Sequence, residues 1–448
     1  MLDKSFLYSK KPANWDDPKF KMREELHKVL VNDLGFEQPS KIQACTIPVI
    51  VAEPCHSLIA QSQNGTGKTL AFVLSSLIRT DEKSNDIQVV VVSPNRELAK
   101  QTYDVYLAVT KYLPGIKISL VVPDVLNPEL GHVIVGTPMS LLKLIDRKQK
   151  MFADLKMLIF DEADIAFNAK DEISKQSMII YKKTGSKKQI LLFSATFNPD
   201  IMKYAQEMVK SATIMKLDQK QLTLKGVVQL YIRCEPQQKF QPIVDIYKDL
   251  LNTQTIAFCN TKSFAEKAYK FLTSHDVKAG LLIGAKSKFS EEGMSSAERD
   301  AAIKSFKSHE TSVLITTNVL ARGYDNRYVT FVINLDLPRK RETGDGDPDS
   351  YLHRIGRTGR FGDIGVALNI VQSEDDLKII KQMEEFYQCK INETTIEKLS
   401  KQIKEVAKLR KKAYKEIAWK KKEKIVQEQP KADGREEQAK TDGQKESK

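Results

Sequence analysis

The chain has 448 residues, 41% hydrophobic and 29% charged, with 71 Lys and Arg against 58 Asp and Glu, a net charge of +13. That length suits two domains of ordinary size with some remainder, and the basic excess favours a polyanionic partner. No apolar run approaches the roughly 18 residues needed to span a bilayer. The start Met1-Leu2-Asp3-Lys4-Ser5 has no charged-then-apolar leader pattern, and the five cysteines are scattered without a Cys-x-x-Cys pair. Membrane insertion, a disulfide framework and a zinc site are therefore disfavoured, and cytoplasm or nucleus is expected.

Residues 1–21 are polar, with Pro12 and Pro18, and read as an N-terminal extension. Met22 to Leu34 places Leu26, Val29, Leu30 and Leu34 at helical spacing, closed by Gly35. The run Gly35-Phe36-Glu37-Gln38-Pro39-Ser40-Lys41-Ile42-Gln43 follows. The Gln43 amide carries the acceptor and donors needed to read an adenine edge, although such a glutamine is more often an ordinary helix-surface residue.

Next, Ser57 to Ala60 leads through Gln61-Ser62-Gln63-Asn64-Gly65-Thr66-Gly67-Lys68-Thr69 into Leu70 to Leu74, a strand, a glycine-rich turn and a helix. This is the pattern of a phosphate cradle. Gly65 and Gly67 let backbone N–H groups approach phosphate oxygens, with Ser62 and Thr66 in the same loop. Lys68 reaches the β/γ-phosphates, and the Thr69 hydroxyl suits Mg²⁺. Ser62 stands where the usual pattern has its first glycine. A flexible loop before a helix is the plainer alternative.

Apolar β-branched runs then alternate with helical segments: Ile87 to Val92, His132 to Val135, Lys156 to Phe160 and Gln189 to Phe193. They predict an α/β fold, a mostly parallel sheet with helices on both faces over residues 22–216. Two chemically loaded turns fall at carboxyl ends of these strands, Asp161-Glu162-Ala163-Asp164 and Ser194-Ala195-Thr196. Residues 217–226 read as a linker. A second series, near Val227 to Arg233, Thr255 to Phe258, Ser312 to Thr316, Val329 to Asn334 and Ile364 to Ile370, predicts a similar domain over 227–392 without a phosphate loop of its own. Residues 393–448 read as a basic tail, helical fading into disorder. From Lys401 onward it carries 16 Lys and Arg against 9 Asp and Glu, either a solvated run or a segment for a polyanion.

An acidic pair after a strand is the expected partner of Lys68-Thr69: Asp161 to hold Mg²⁺ directly or through water, Glu162 to orient and deprotonate the attacking water. Three arginines in seven residues, Arg354, Arg357 and Arg360, suit a polyphosphate better than a core. Arg357 and Arg360 are candidate arginine fingers, effective only when the two domains close.

Taken together these segments resemble the DEAD-box RNA helicases, two RecA-like domains in tandem. The match runs over about residues 15–390 and includes Pro94-Asn95-Arg96-Glu97-Leu98-Ala99, Thr137-Pro138, Phe258 to Thr261, Thr316 to Asp325 and His353 to Arg360. The finer likeness is to the mRNA-export helicases of the nuclear pore, carried by the Tyr8-Ser9 entry, Ala52-Glu53-Pro54 with Leu58 to Gln63, and the acidic insert Gly344 to Asp349.

The resemblance implies ATP and Mg²⁺ as cofactors, with Gln43 reading adenine and Trp15 or Phe20 stacking on it. Gly323 and Asp325 would meet the nucleotide. Ser194 and Thr196 would couple hydrolysis to RNA release, and Asp164 would pair with His353. RNA phosphates and sugars would lie across Pro94, Arg96, Thr137, Pro138, Thr261, Thr316 and Arg322, giving sequence-tolerant, salt-sensitive binding. It further implies a monomer that meets nuclear-pore proteins and an activator bridged by inositol hexakisphosphate. Departures include Asn95 for Thr, Met139-Ser140 for Gly and a basic residue, Tyr324 for Ile, and no double-glycine loop around Val122 to Leu130. An ATP-gated RNA clamp, whose turnover only times release, is the rival reading, and a DEAD-box helicase of translation or ribosome biogenesis is the other alternative.

Overall fold

The computed structural model describes residues 14–125, 128–168, 172–216, 226–250, 253–286, 292–321, 324, 326, 328–340, 342–359, 364–406 and 408. Tyr8-Ser9, nearly all of the expected linker and the tail beyond 408 lie outside them.

Two seven-stranded sheets form two lobes. In the first, β1 (Leu58–Gln61), β2 (Val89–Val92), β3 (Ile118–Val121), β4 (Val133–Gly136), β5 (Met157–Asp161), β6 (Gln189–Ser194) and β7 (Thr213–Lys216) run parallel in the order β3-β4-β2-β5-β6-β1-β7. The second holds β8 (Val227–Arg233), β9 (Gln254–Phe258), β10 (Ala279–Leu282), β11 (Val313–Thr316), β12 (Val329–Asn334), β13 (Gly365–Val371) and β14 (Asn392–Glu393), in the order β10-β11-β9-β12-β13-β8-β14. Subtracting seven from each strand number of the second order reproduces the first. The expected second α/β domain of similar build is thus the same topology repeated.

The alternation of side chains across a strand explains why these valine-rich runs lie inside. In β2, Val89 and Val91 enter one core while Val90 and Val92 enter another on the opposite face. In the second lobe Ala257 points one way and Ile256 and Phe258 the other. Helices cover both faces, among them Lys68–Arg79 and Arg96–Val109 in the first lobe and Lys262–Ser274 and Pro348–Ile355 in the second.

Both expected domain limits shift. Trp15 and Phe20, placed in the extension, are buried in the first core, because two large aromatics gain more from that apolar face than from solvent. At the other end, a helix over 396–406 sends Leu399, Ile403 and Val406 into the second core. Its Ser400 Oγ donates to Asp249, and Lys404 Nζ lies 2.9 Å from the same carboxylate. The start of the expected tail therefore belongs to the second lobe. Among the described residues no helix is long and apolar enough to cross a membrane.

Candidate nucleotide and RNA site between the lobes

The turn after β1 begins the site. Its residues meet the N-terminus of the helix Lys68–Arg79 around a cavity of about 290 Å³, lined by Gly65, Gly67, Lys68 and Thr69 from this turn and by Gln43, Asp161, Glu162 and Arg357. Gly65 and Gly67 have φ of +74° and +96°, a region that side chains with a Cβ rarely adopt. A Cβ on Gly67 would also lie 2.4 Å from Gln43 Nε2. Lys68 Nζ donates to the carbonyls of Ser62 (2.8 Å) and Gln63 (3.0 Å), while Ser62 Oγ and Thr66 Oγ1 sit 2.8 Å apart. The loop is thus folded by its own polar groups, with the ammonium at its centre.

Gln43 ties this loop to the preceding helix. Its Oε1 accepts from Ser40 N (2.7 Å), closing a capping box, and its Nε2 donates to the Gly67 carbonyl (3.1 Å). Trp15 and Phe20, the aromatics expected to stack on a base, stand elsewhere. Trp15 is 2% exposed and donates through Nε1 to the Phe36 carbonyl at 2.8 Å, and Phe20 packs beside it. The aromatic at the cavity is Phe36, 40% exposed. Its signal was its place right after Gly35, seven residues ahead of Gln43.

At the carboxyl end of β5, Glu162 adopts a left-handed backbone (φ 49°, ψ 54°), a strained turn of the kind found at functional sites. Asp161 Oδ1 accepts from Glu162 N at 3.0 Å. Burial, reinforced by the Glu162 charge and opposed by Lys68, pushes the Asp161 carboxyl up to about 7. Glu162 Oε2 is buried with no hydrogen-bond partner among the described residues. A buried carboxylate pair beside the Thr69 hydroxyl fits a hard divalent cation such as Mg²⁺.

Asp164 gathers the coupling residues. Ser194 Oγ donates to its Oδ1 (2.7 Å) and Thr196 Oγ1 to its Oδ2 (3.1 Å). His353 of the second lobe, fully buried, brings Nε2 to 3.6 Å from Asp164 Oδ2. Its Nδ1 lies 3.2 Å from Asn64 Nδ2, and the Asn64 Oδ1 faces Lys68 Nζ, so Asn64 donates and leaves the imidazole proton on Nε2, toward Asp164. The sequence offered nothing to mark Asn64.

Arg357 also crosses from the second lobe. Its Nε donates to the His353 carbonyl (3.1 Å) and its Nη1 to the Tyr324 carbonyl (2.6 Å), holding the guanidinium at the cavity shared with Lys68 and Glu162. Arg354 serves its own lobe instead. It is fully buried and donates to Asn318, Asn260 and the Asp336 carbonyl, and desolvation pulls it down to about 10. Arg322, Gly323, Asp325 and Arg360 lie outside the described residues.

The expected RNA face divides. Three helix N-termini follow β2, β4 and β9 at Asn95, Thr137 and Thr261. Asn95 Oδ1 accepts from Leu98 N, and Thr261 Oγ1 from Phe264 N; Thr137 provides no side-chain cap. Backbone N–H groups at such ends suit phosphates. Pro94 is half-buried, Pro138 buried and Thr261 exposed. Two residues of the expected RNA face are buried in this structure. Arg96 is 7% exposed because Asp124 and Asp300 engage its guanidinium. Thr316 is fully buried and donates to the Leu282 carbonyl at 2.7 Å.

The geometry defines a two-lobed phosphate-binding machine whose second lobe completes the site of the first. Family models agree: residues 40–204 match the DEAD/DEAH box helicase model and 238–362 the helicase conserved C-terminal domain. The chain is 39% identical over 358 residues to the ATP-dependent RNA helicase DBP5 of Lodderomyces elongisporus, covering 79% of this chain and 68% of that one. S. cerevisiae Dbp5 bound to RNA and ADP BeF3 superposes with a TM-score of 0.81 at 33% identity, covering 87% of this chain and 98% of that one. A variant of S. cerevisiae Dbp5 bound to Gle1 and IP6 gives 0.72 at 33% identity, with coverages of 89% and 99%. The chain belongs to the DEAD/DEAH box helicase family, and its two sheets are tandem RecA-like domains.

Proposed function

We propose that this chain is an ATP-dependent RNA helicase that closes its two lobes on RNA and ATP, hydrolyses the ATP and lets go, remodelling RNA–protein complexes locally. The observation that carries this reading is the meeting of Arg357 and His353 from the second lobe with Lys68, Glu162 and Asp164 from the first. Gln43 reads the adenine edge and Phe36 stacks on it. Lys68 and the loop amides bind the phosphates, and Thr69 and Asp161 hold Mg²⁺, which supplies charge neutralisation at the β/γ-phosphates. Glu162 takes a proton from the attacking water, and Arg357 stabilises the charge that develops on the γ-phosphoryl group. Ser194, Thr196 and His353, all converging on Asp164, relay closure to the RNA face. Arg360, Gly323, Asp325 and Arg322 keep their expected roles within this proposal.

Relatives named DBP5, and a Dbp5 structure with Gle1 and IP6, support a task in mRNA export at the nuclear pore with an inositol-hexakisphosphate-dependent activator; a monomeric working form is part of the same proposal. The test is the steady-state nucleotidase rate with and without single-stranded RNA, measured with ATP and with GTP. RNA stimulation confined to ATP is expected. Equal use of GTP would remove the adenine reader, and hydrolysis untouched by RNA would remove the helicase reading.

A further inference from the structure

The first sheet has a second concave face at its opposite edge. Just ahead of β1, β5 and β6, and below the last residue of the helix Lys68–Arg79, lies a polar cavity of about 470 Å³. Arg79, Lys156, Lys187 and Lys188 line it, with Asp154 as the acidic member. None of the four cations has a carboxylate within salt-bridge distance among the described residues, although the half-buried Arg23, Lys100 and Lys239 elsewhere in the chain do.

The cavity is organised from beneath. Gln189, buried at the start of β6, directs its Nε2 to the carbonyls of Ile50 (3.0 Å) and His56 (2.6 Å), so its Oε1 is fixed in place to accept from Arg79 Nη1. A half-buried guanidinium is thereby held at the cavity by a neutral amide, which orients it without cancelling its charge. Lys188 spends its three protons on the carbonyls of Tyr181, Thr184 and Gly185 (2.9, 3.1 and 2.6 Å). It contributes charge, and Lys156, Lys187 and the Ser186 hydroxyl contribute donors that can reach inward. Guanidinium, ammonium and hydroxyl donors around one cavity, four cations against the single carboxylate of Asp154, match the oxygens of a phosphate group.

We propose that this cavity binds a small phosphate-bearing ligand, a phosphomonoester or pyrophosphate, at a site separate from the nucleotide cradle. The 12-residue helix Lys68–Arg79 joins the two: Lys68 opens it at the cradle and Arg79 closes it at the cavity, about 16 Å away along the axis.

The test is calorimetric titration of pyrophosphate into the full chain in metal-free buffer, with the nucleotide cradle saturated by ADP. One site per chain is expected. Replacing Lys156→Gln together with Lys187→Gln, both exposed and so without cost to folding, should weaken it about tenfold, and Arg79→Lys should weaken it alone because an ammonium loses the fork. The control pair Lys203→Gln with Lys210→Gln, also exposed on this lobe, should leave binding unchanged. Absence of binding above the ADP block, or equal weakening in the control pair, would overturn the proposal. Displacement of pyrophosphate by an RNA oligomer or a polyglutamate peptide at lower concentration would overturn it too, assigning the face to that polymer.

Discussion

Arg96 of the first lobe and Asp300 of the second face each other as a bidentate pair, Nη1 to Oδ1 and Nη2 to Oδ2, both at 3.0 Å. Lys100 adds a second cation to Asp300 at 2.8 Å, and the neighbouring Glu97 accepts from Arg299 Nη1. Asp124 holds the other side of the Arg96 fork, Nε to Oδ1 at 2.8 Å. The segment expected to touch RNA thus latches the lobes together.

Removing one partner should open the lobes more than removing a surface charge. Arg96→Ala and Asp300→Ala are expected each to reduce the closed population with RNA and a non-hydrolysable ATP analogue, read by fluorescence transfer between lobes. The double variant should be no worse than either single one, a coupling of about 1 kcal/mol. Strictly additive losses would mean that the pair does not act as a unit.

The latch has a pH signature. Hydrogen bonds from Arg96, then from Lys100, hold the Asp300 carboxyl down to about 2, against an ordinary 3.8. Because its value with the lobes together lies below that with them apart, the contribution to closure is fully present above about pH 4 and fades as pH falls toward 2. The same fluorescence readout should therefore hold from neutral pH down to about 4 and then decay. Asp300→Asn should close less well at pH 7 and lose that step; an identical acid profile in the variant would contradict the assignment.

Phe36 and Trp15 separate by kind of effect. Phe36→Ala should raise KM for ATP about tenfold, the scale of one base–aromatic stack, with little change in melting temperature. Trp15→Ala should instead destabilise the first lobe by about 3–5 kcal/mol, as loss of a buried aromatic does. Were Trp15→Ala to alter nucleotide affinity in a fully folded protein, the stacking role would return to it.

Glu162→Gln keeps the cradle and removes the base. Hydrolysis should fall by about 10²–10⁴ while RNA stays bound in the presence of ATP, a combination visible as a long-lived complex in a filter-binding assay. Retention of the parental turnover rate would take Glu162 out of the chemistry.

Much of this was legible because strand burial and phosphate chemistry leave local marks. Fully buried runs such as Val89 to Val92 and Met157 to Phe160 announce themselves by composition, and Gly67-Lys68-Thr69 by its spacing. The edge strands β3 and β7 escaped because they are half-exposed and mix Ser119 or Lys216 with apolar residues. Contacts between lobes other than those of Asp164 with His353 and of Arg357 with the cradle were hidden for another reason. Asn64 with His353, and Arg96 with Asp300, are separated by 289 and 204 residues, and nothing local distinguishes such a charge from a solvated one. Nor does the sequence show that the Thr316 hydroxyl turns into its own lobe toward Leu282, while Thr317 follows at the strand end.

The second lobe completes the catalytic site of the first, and RNA favours that closed arrangement. Single-turnover ATP hydrolysis by the parental chain and by Arg357→Ala, each with and without RNA, tests it most directly. RNA should accelerate the parental chain by about tenfold or more, and Arg357→Ala should lose that acceleration while still binding ATP. An RNA-accelerated Arg357→Ala variant, or a parental rate indifferent to RNA, would contradict the account.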